Sequence, residues 1–341
     1  MSVNQPTIQD VARAAGVSKM TVSRVVNCSP RITDETRRKV QEAMGGLGYI
    51  PNPQARALAL RRNFLIALVH ASRNAQTVLD IQQGVLDALA GTEFALVVRP
   101  LDRGSPTMLD DLRHFLERQR PFGVLLMAPV SENGQVIELC GELGCRYMRM
   151  GSALQTGGTR SIASDDREAV RGAVDHLVGA GHRRIALVAG PGDYLSARER
   201  QAGFEAALQA AGLPLLPEMI VEGDYSYASG LAAGATLLDM AEPPTAVFAS
   251  NDDMAAGVMQ AARQRGLELP AALSIIGFDD MGVAAYMWPP LTTVRRPINA
   301  MAHAAADRLV RGTDEVDGTT GDAELFRSTL ILRGSVAPPG R

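Results

Sequence analysis

TIQDVARAAGVSKMTVSRVVN, residues 7–27, carries two short apolar stripes with one glycine between them. In the first, Ile8, Val11, Ala12 and Ala15 recur at helical spacing and share a face. Thr7 stands where an N-cap belongs, and Asp10 follows three residues later, near the positive end of the helix. Gly16 permits a sharp turn, and Ser18 can cap a second helix over 19–27. On that helix Val22, Val25 and Val26 face back toward the first, which leaves Lys19, Met20, Ser23 and Arg24 outward. Two short helices joined by a glycine-containing turn make a helix-turn-helix, whose second helix fits the major groove of DNA. A third helix is predicted over about 34–44, capped by Thr33, with Asp34 and Glu35 in its first turn and Gly45, Gly46 and Gly48 ending it.

Charge sets this region apart. The 341-residue chain has a formal net charge of −3, yet residues 1–62 hold ten Lys/Arg against four Asp/Glu, a net +6, and the rest is −9. A basic head on an acidic body fits a polyanion-binding module joined to something that does not bind polyanions. The alternative is a solvated basic face, and charge alone leaves the two about even; the helical pattern inside the head decides. The segment IPNPQARALALRR, residues 50–62, adds to it. Asn52 can cap a short helix with Pro53 at its first position. Ala55, Ala57 and Ala59 keep that helix narrow around one large apolar residue, Leu58, while Arg56, Arg61 and Arg62 offer phosphate contacts. A narrow helix with one apolar wedge suits minor-groove insertion; an amphipathic linker helix is the alternative for such a segment taken alone.

Here the resemblance to a known family is dense. The run from Thr7 to Asn27, the helix over 34–44 and GYIPNPQARALA together resemble the head of the lactose-repressor (LacI/GalR-type) family of bacterial regulators. The resemblance implies that Lys19, Met20 and Arg24 read base edges, Arg24 by paired bonds to guanine. It implies that Thr21, Ser23, Asn27 and Arg31 contact phosphates and fix register, and that Ala55 and Leu58 enter the minor groove. Thr7, Ser18, Asn52 and Arg56 complete the expected DNA-binding set.

After Asn63 apolar runs alternate with polar-faced helices. Candidate strands are 64–69, 94–99, 123–128, 146–150, 184–189, 219–222, 246–250 and 274–278, with helices at 77–90, 106–118, 134–143, 167–181, 196–211, 226–241 and 253–265. Near-continuous apolar strands alternating with helices indicate parallel sheets covered on both faces, and the length calls for two Rossmann-like lobes. Ligands of such sheets sit at the carboxyl ends of strands. The loops there carry Ser196, Arg198 and Arg200, then Asp224 and Tyr225, Asn251 and Asp252, and Asp279 and Asp280, with Asp165 and Asp166 heading one helix. Acceptors, amides and a guanidinium together suit a polyhydroxylated ligand, whose hydroxyls both donate and accept. Any one of these residues has about even odds of being only a helix cap.

GHRRIALVAGP, SARERQAGF, SNDDMAAG, IIGFDD and PPLTTVRRP extend the resemblance over nearly the whole chain, to the family's effector-binding core, itself related to periplasmic sugar-binding proteins. Carried over residue by residue, the effector contacts fall on Asp165, Ser196, Arg200, Tyr225, Asn251 and Asp279. Two departures join the expected site. Arg296 stands where the family usually has Gln, and Asn74 is followed by Ala75, Gln76 and Thr77 where aromatics often follow. A missing aromatic wall makes purine stacking less favourable. A second cation suggests an acidic sugar such as a gluconate or uronate, unless Arg296 pairs with an acid such as Asp279 and the ligand is neutral.

The expected fold class is thus an all-α helix-turn-helix head with a hinge helix, plus an α/β periplasmic-binding-protein-like core of two Rossmann-like lobes. Expected bounds are 1–49 for the head, 50–62 for the hinge, 63–337 for the core and 338–341 for a tail. The resemblance implies three crossings between lobes, with lobe one about 63–161 and 294–322 and lobe two about 162–292 and 324–337. The implied function is a regulator, most simply a repressor, whose grip on a palindromic double-stranded operator is switched by a sugar or sugar acid. No leucine heptad follows the core, so a homodimer is expected. Alternatives are a co-repressed purine-type regulator and a cytoplasmic sugar-binding protein.

Other classes fit less well. No apolar run approaches the ~20 residues of a membrane span, and the polar start, Met1 to Asp10, lacks a secretory core, which points to the cytoplasm. The scattered Cys28, Cys140 and Cys145 form no zinc or disulfide pattern, so no metal or cofactor is expected. Gly190 and Gly192 follow a strand, but Leu195 occupies the third glycine position of a dinucleotide fingerprint, and the five histidines are dispersed. An enzyme is not expected.

Overall fold

The computed structural model describes residues 6–26, 29, 31–49, 63–72, 74–153, 160–311 and 323–340. Asn27 and the segment 50–62, with Asn52, Ala55, Arg56 and Leu58, lie outside the described residues, and so does the expected hinge helix. The chain divides into two compact units, Met1–Phe64 and Leu65–Arg341.

The first unit is helical: α1 (Ile8–Ala14), α2 (Lys19–Val26) and α3 (Asp34–Leu47). Val11, Ala12, Val22, Val25 and Val40 form its buried core. The Asp10 carboxylate accepts from both the amide and the hydroxyl of Thr7 and so ties down the start of α1. Ser18 Oγ accepts from the Thr21 amide and starts α2. Helix α3 outruns its expected end because Gly45 and Gly46 continue the helix; only Gly48 turns left-handed, at φ 62°.

The second unit holds two six-stranded sheets. The first contains β1 (Leu65–His70), β2 (Ala95–Pro100), β3 (Gly123–Met127), β4 (Tyr147–Gly151), β5 (Ser161–Ser164) and β11 (Glu324–Phe326), in the order β11-β5-β4-β3-β1-β2 and parallel throughout. The second contains β6 (Ile185–Ala189), β7 (Ile220–Glu222), β8 (Ala246–Ala249), β9 (Ser274–Asp279), β10 (Thr292–Arg295) and β12 (Thr329–Ile331), in the order β12-β10-β9-β8-β6-β7. Only β12 runs antiparallel to its neighbour. Strands β1, β3, β6 and β8 are buried along almost their whole length, the mark of a sheet covered on both faces. Helices α4 (Ala75–Leu89), α5 (Met108–Gln119), α6 (Gly134–Glu142) and α12 (Ile298–Arg311) cover the first sheet. Helices α7 (Asp166–Gly179), α8 (Leu195–Ala210), α9 (Tyr227–Leu238) and α10 (Asp252–Gln264) cover the second; the short α11 (Gly282–Tyr286) follows β9.

Eight strands and seven helices lie within a few residues of their expected places. Strands β5, β10, β11 and β12 were not expected; each has only three or four residues, too few for a period-2 pattern. Helix α12 was also missed, because its buried stripe of Met301, Ala302, Ala305, Ala306 and Leu309 is mostly alanine and contrasts weakly with its neighbours.

These strands correct the expected lobe bounds. Residues 161–164 and 324–326 were split between lobes or given to lobe two, but β5 and β11 pair in the first sheet. Residues 294 and 295 were given to lobe one, but β10 lies between β9 and β12 in the second. The chain therefore crosses at 164–166, 295–298 and 326–329. Strand pairing at the sheet edge, which hydropathy does not report, decides where each crossing falls.

Helices α9 and α10 touch backbone to backbone. A Cβ added at Gly257 would lie 2.4 Å from both the Tyr227 oxygen and the Leu231 nitrogen, and one at Gly230 would lie 2.2 Å from the Met254 oxygen. Gly257→Ala is expected to force these helices apart at a cost of about 1–3 kcal/mol, read as a fall of several degrees in the thermal midpoint. An unchanged midpoint would refute this contact.

Candidate functional site

The carboxyl ends of both sheets converge on a cavity of about 460 Å3. Lobe one lines it with Ala71, Ser72, Asn74 and Thr77 after β1, Met127 to Pro129 at the end of β3, Met150 to Ser152 at the end of β4, and Ile298 and Met301 from the start of α12. Lobe two contributes Tyr194 and Ser196 after β6, Arg200 from α8, Asp224 to Tyr227 after β7, Asn251 and Asp253 after β8, and Asp279 at the end of β9. Arg296 enters from the second crossing.

Arg200 organises the lobe-two wall. Its guanidinium is buried, donates through Nε to Asp166 Oδ2 at 2.8 Å and through Nη1 to the Ser250 carbonyl, and lies 3.8 Å from the centroid of the Phe278 ring. Burial opposes its charge, but the Asp166 and Asp279 carboxylates outweigh that and raise its pKa above the ordinary arginine value. Asp279 Oδ1 sits 3.7 Å from Arg200 and 3.2 Å from Arg296. Its backbone is left-handed at φ 102°, as is that of Asp280 at 54° and Tyr225 at 68°, conformations that cluster at ligand sites. Asp280 accepts from Arg295 and Arg333, so the two adjacent aspartates hold consecutive residues of the crossing strand, Arg296 and Arg295.

Of the eight expected effector residues, Asn74, Ser196, Arg200, Tyr225, Asn251, Asp279 and Arg296 line the cavity. Asp165 does not. Its carboxylate accepts from the Ser328 amide at 2.7 Å and so ties the first crossing to the third; the neighbouring Asp166 faces Arg200 instead. Several lining residues also serve the scaffold. Asn251 Oδ1 caps α10 through the Met254 amide, and its Nδ2 donates to the Tyr225 carbonyl. Asn74 Oδ1 caps α4, and its Nδ2 donates to Asp253 Oδ2 at 2.8 Å, across the cleft. Ser196 Oγ lies 3.0 Å from the Tyr225 hydroxyl. Burial raises the pKa of Asp253, against the bond from Asn74.

Sequence reasoning missed Ser152, Tyr194, Tyr227 and Asp253. Ser152 follows the strand at 146–150, and a lone serine between Gly151 and Ala153 carries no pattern that marks it as a ligand residue. Asp253 follows the candidates Asn251 and Asp252 in one polar run, and residue order does not separate it from them. The lobe-one wall lacks aromatic side chains among the described lining residues, and the tyrosines come from the opposite lobe.

In the helical unit, Lys19, Met20 and Arg24 project from α2 into solvent, with Met20 63% exposed. Thr21 and Ser23 flank them, half-buried, and Arg31 is exposed after the turn. An exposed, basic recognition-helix face opposite a valine core is the arrangement of a major-groove reader.

Comparison with known proteins identifies both parts of the chain. Residues 7–52 match the family described as bacterial regulatory proteins, lacI family, and residues 174–336 match a periplasmic binding protein-like domain. The HTH-type transcriptional regulator CelR of Thermobifida fusca is 34% identical over 336 residues, 96% of this chain and 97% of its own. The chain belongs to the lacI family. A structure of the regulator CelR in complex with cellobiose matches this lacI-family protein with a TM-score of 0.72 at 33% identity, over 97% of this chain and all of the other. The lac repressor dimer bound to operator and the anti-inducer ONPF matches with a TM-score of 0.83 at 30% identity, over 98% of this chain and all of the other. This lacI-family member is a DNA-binding transcriptional regulator and not an enzyme. None of its described helices is long and apolar enough to cross a membrane.

Beneath the cavity Asp252 is fully buried, accepting from Thr293 Oγ1 at 2.6 Å and the Met281 amide at 2.7 Å. Burial, opposed by Thr293 and reinforced by Asp279, lifts its pKa to about 8. In the unfolded chain it titrates near the ordinary ~4. Between these values the native state holds a proton that the unfolded chain has released, so this group's contribution to stability falls as pH rises from about 4 to 8. Asp252→Asn is expected to flatten the decline of the thermal midpoint across that window. A variant with the same slope as the wild type would contradict the assignment.

Proposed function

We propose that this lacI-family regulator represses transcription in the cytoplasm by binding palindromic operator DNA as a homodimer, and that a neutral sugar in the cleft switches that binding. The observation that carries the effector reading is a set of buried, unpaired polar atoms on residues that line the cavity. Ser152 Oγ and Arg296 Nε have no hydrogen-bond partner, and Asp279 Oδ1, although close to two guanidiniums, accepts no hydrogen bond. Buried polar atoms left unpaired in a polar cavity are the positions a ligand satisfies.

Charge favours a neutral ligand over the sugar acid. Arg200 is committed to Asp166 and Ser250, and Arg296 pairs with Asp279. The described lining sets three carboxylates, Asp224, Asp253 and Asp279, against these two guanidiniums, so it carries no surplus of positive charge for a ligand carboxylate. Aromatic geometry favours a sugar over a purine: the Tyr194 and Tyr225 rings are tilted by 46°, with centroids 5.8 Å apart, and form no parallel slot for a planar base. The cellobiose held by CelR supports the same class. For the dimer, Tyr286 and Trp288 are 88% and 80% exposed on the second unit, and the lac repressor match is itself a dimer on operator.

Two experiments test this reading. Selection of random duplexes on the purified chain is expected to enrich a palindrome, and Arg24→Ala is expected to weaken binding to it roughly 10- to 100-fold, the value of a lost guanine contact. Failure to enrich any duplex overturns DNA recognition as written. Thermal shift against glucose, ribose, cellobiose, gluconate and glucuronate is expected to show stabilisation by a neutral member only. Stabilisation by the acids alone, or by none, overturns the ligand class.

A further inference from the structure

Three residues of lobe two, Asp193 to Leu195, are gripped by two charged side chains of lobe one. Glu132 ends a short 3-10 turn (Val130–Glu132) after β3, and its Oε2 accepts from the Leu195 amide at 3.0 Å. Leu195 is the first residue of the 16-residue helix α8, so the carboxylate meets an unsatisfied N–H at the positive end of the helix. Arg103, in the loop after β2, donates to Asp193 Oδ2 at 3.0 Å and lies 4.6 Å from the centroid of the Tyr194 ring. Glu132 Oε1 is buried without a hydrogen-bond partner, which leaves the Leu195 amide as the hydrogen bond that binds this carboxylate. The next residue, Ser196, and Arg200 one turn later both line the cavity.

We propose that Glu132 and Arg103 form a latch across the cleft that holds the first turn of α8, and with it Ser196 and Arg200, in position to bind ligand. Glu132 is a positioning residue: it does not line the cavity among the described lining residues. The latch depends on charge. Arg198 approaches the carboxylate from lobe two, and Arg103 and Arg149 from its own lobe, while each is engaged elsewhere: Arg198 with the Gly192 carbonyl, Arg149 with the Ser131 carbonyl, Arg103 with Asp193. Burial raises the Glu132 pKa against the pull of the Leu195 amide and these three cations, so acidification removes the charge sooner than at an ordinary glutamate. The consequence for ligand affinity rests on the cleft being the effector site; the latch itself does not.

Hydrogen exchange on the full chain without ligand tests it. Glu132→Ala is expected to speed exchange of the Leu195 amide at least ~10-fold while leaving β1 and β6 protected, with Glu132→Gln between it and the wild type because its amide oxygen still accepts. Wild-type protection at Leu195 is expected to fall on acidification, and Glu132→Gln to show no such fall. Arg103→Met reads the second contact and serves if Glu132→Ala does not fold. Unchanged protection at residues 193–195 in the folded variants, or a loss spread evenly over both lobes, overturns the latch. None of these readouts needs a sugar, so failure of the ligand class in the thermal shift panel leaves this result to stand or fall alone.

Discussion

A guanidinium cannot be buried unpaired, and that constraint at Arg200 holds the cleft between the lobes together. Asp166 at the start of α7, the Ser250 carbonyl after β8 and Asp279 at the end of β9 all turn toward it. Three loops that would otherwise be free at the carboxyl ends of their strands thereby acquire fixed directions. The Phe278 ring under the guanidinium restricts it further. Tyr225 and Ser196 then pack against this fixed centre and present a wall of hydroxyls to the cavity.

The same ion network reaches the crossings between lobes. Asp279 contacts Arg296 and Asp280 accepts from Arg295, so the crossing strand is held by neighbouring residues of one strained turn. Asp165 and Ser328 join the first and third crossings. A ligand that engages Asp279 or Arg296 therefore acts on groups already bonded to the segments about which the lobes can move. Coupling between two sites needs a difference in contacts between two states, and these crossings are where such a difference can arise.

Much of this was legible in residue order. The valine stripe of the head, its caps and its outward Lys19, Met20 and Arg24 follow from 3.6-residue periodicity, because the head is small and its helices pack with near neighbours in sequence. The long buried strands stood out as apolar runs. Placing seven of eight expected ligand residues at the cavity followed from the rule that open α/β sheets bind at their carboxyl ends, together with the family resemblance. Asp165 failed because two adjacent aspartates share one local pattern, and only the path of the crossing segments decides which of them turns inward.

Local chemistry in the chain thus determined which segments became helix or buried strand, where the basic reading face lay and which polar loops were candidates for a ligand. Tertiary structure alone decided the rest. Short strands such as β5 and β10 have no hydropathy signature, so their sheet membership, and with it the points of crossing, depends on partners far away in sequence. The commitment of Arg296 to Asp279, which argues for a neutral ligand, and the grip of Glu132 on Leu195 are contacts between residues 17 and 63 apart. Such contacts depend on distance in space, which residue order does not encode directly.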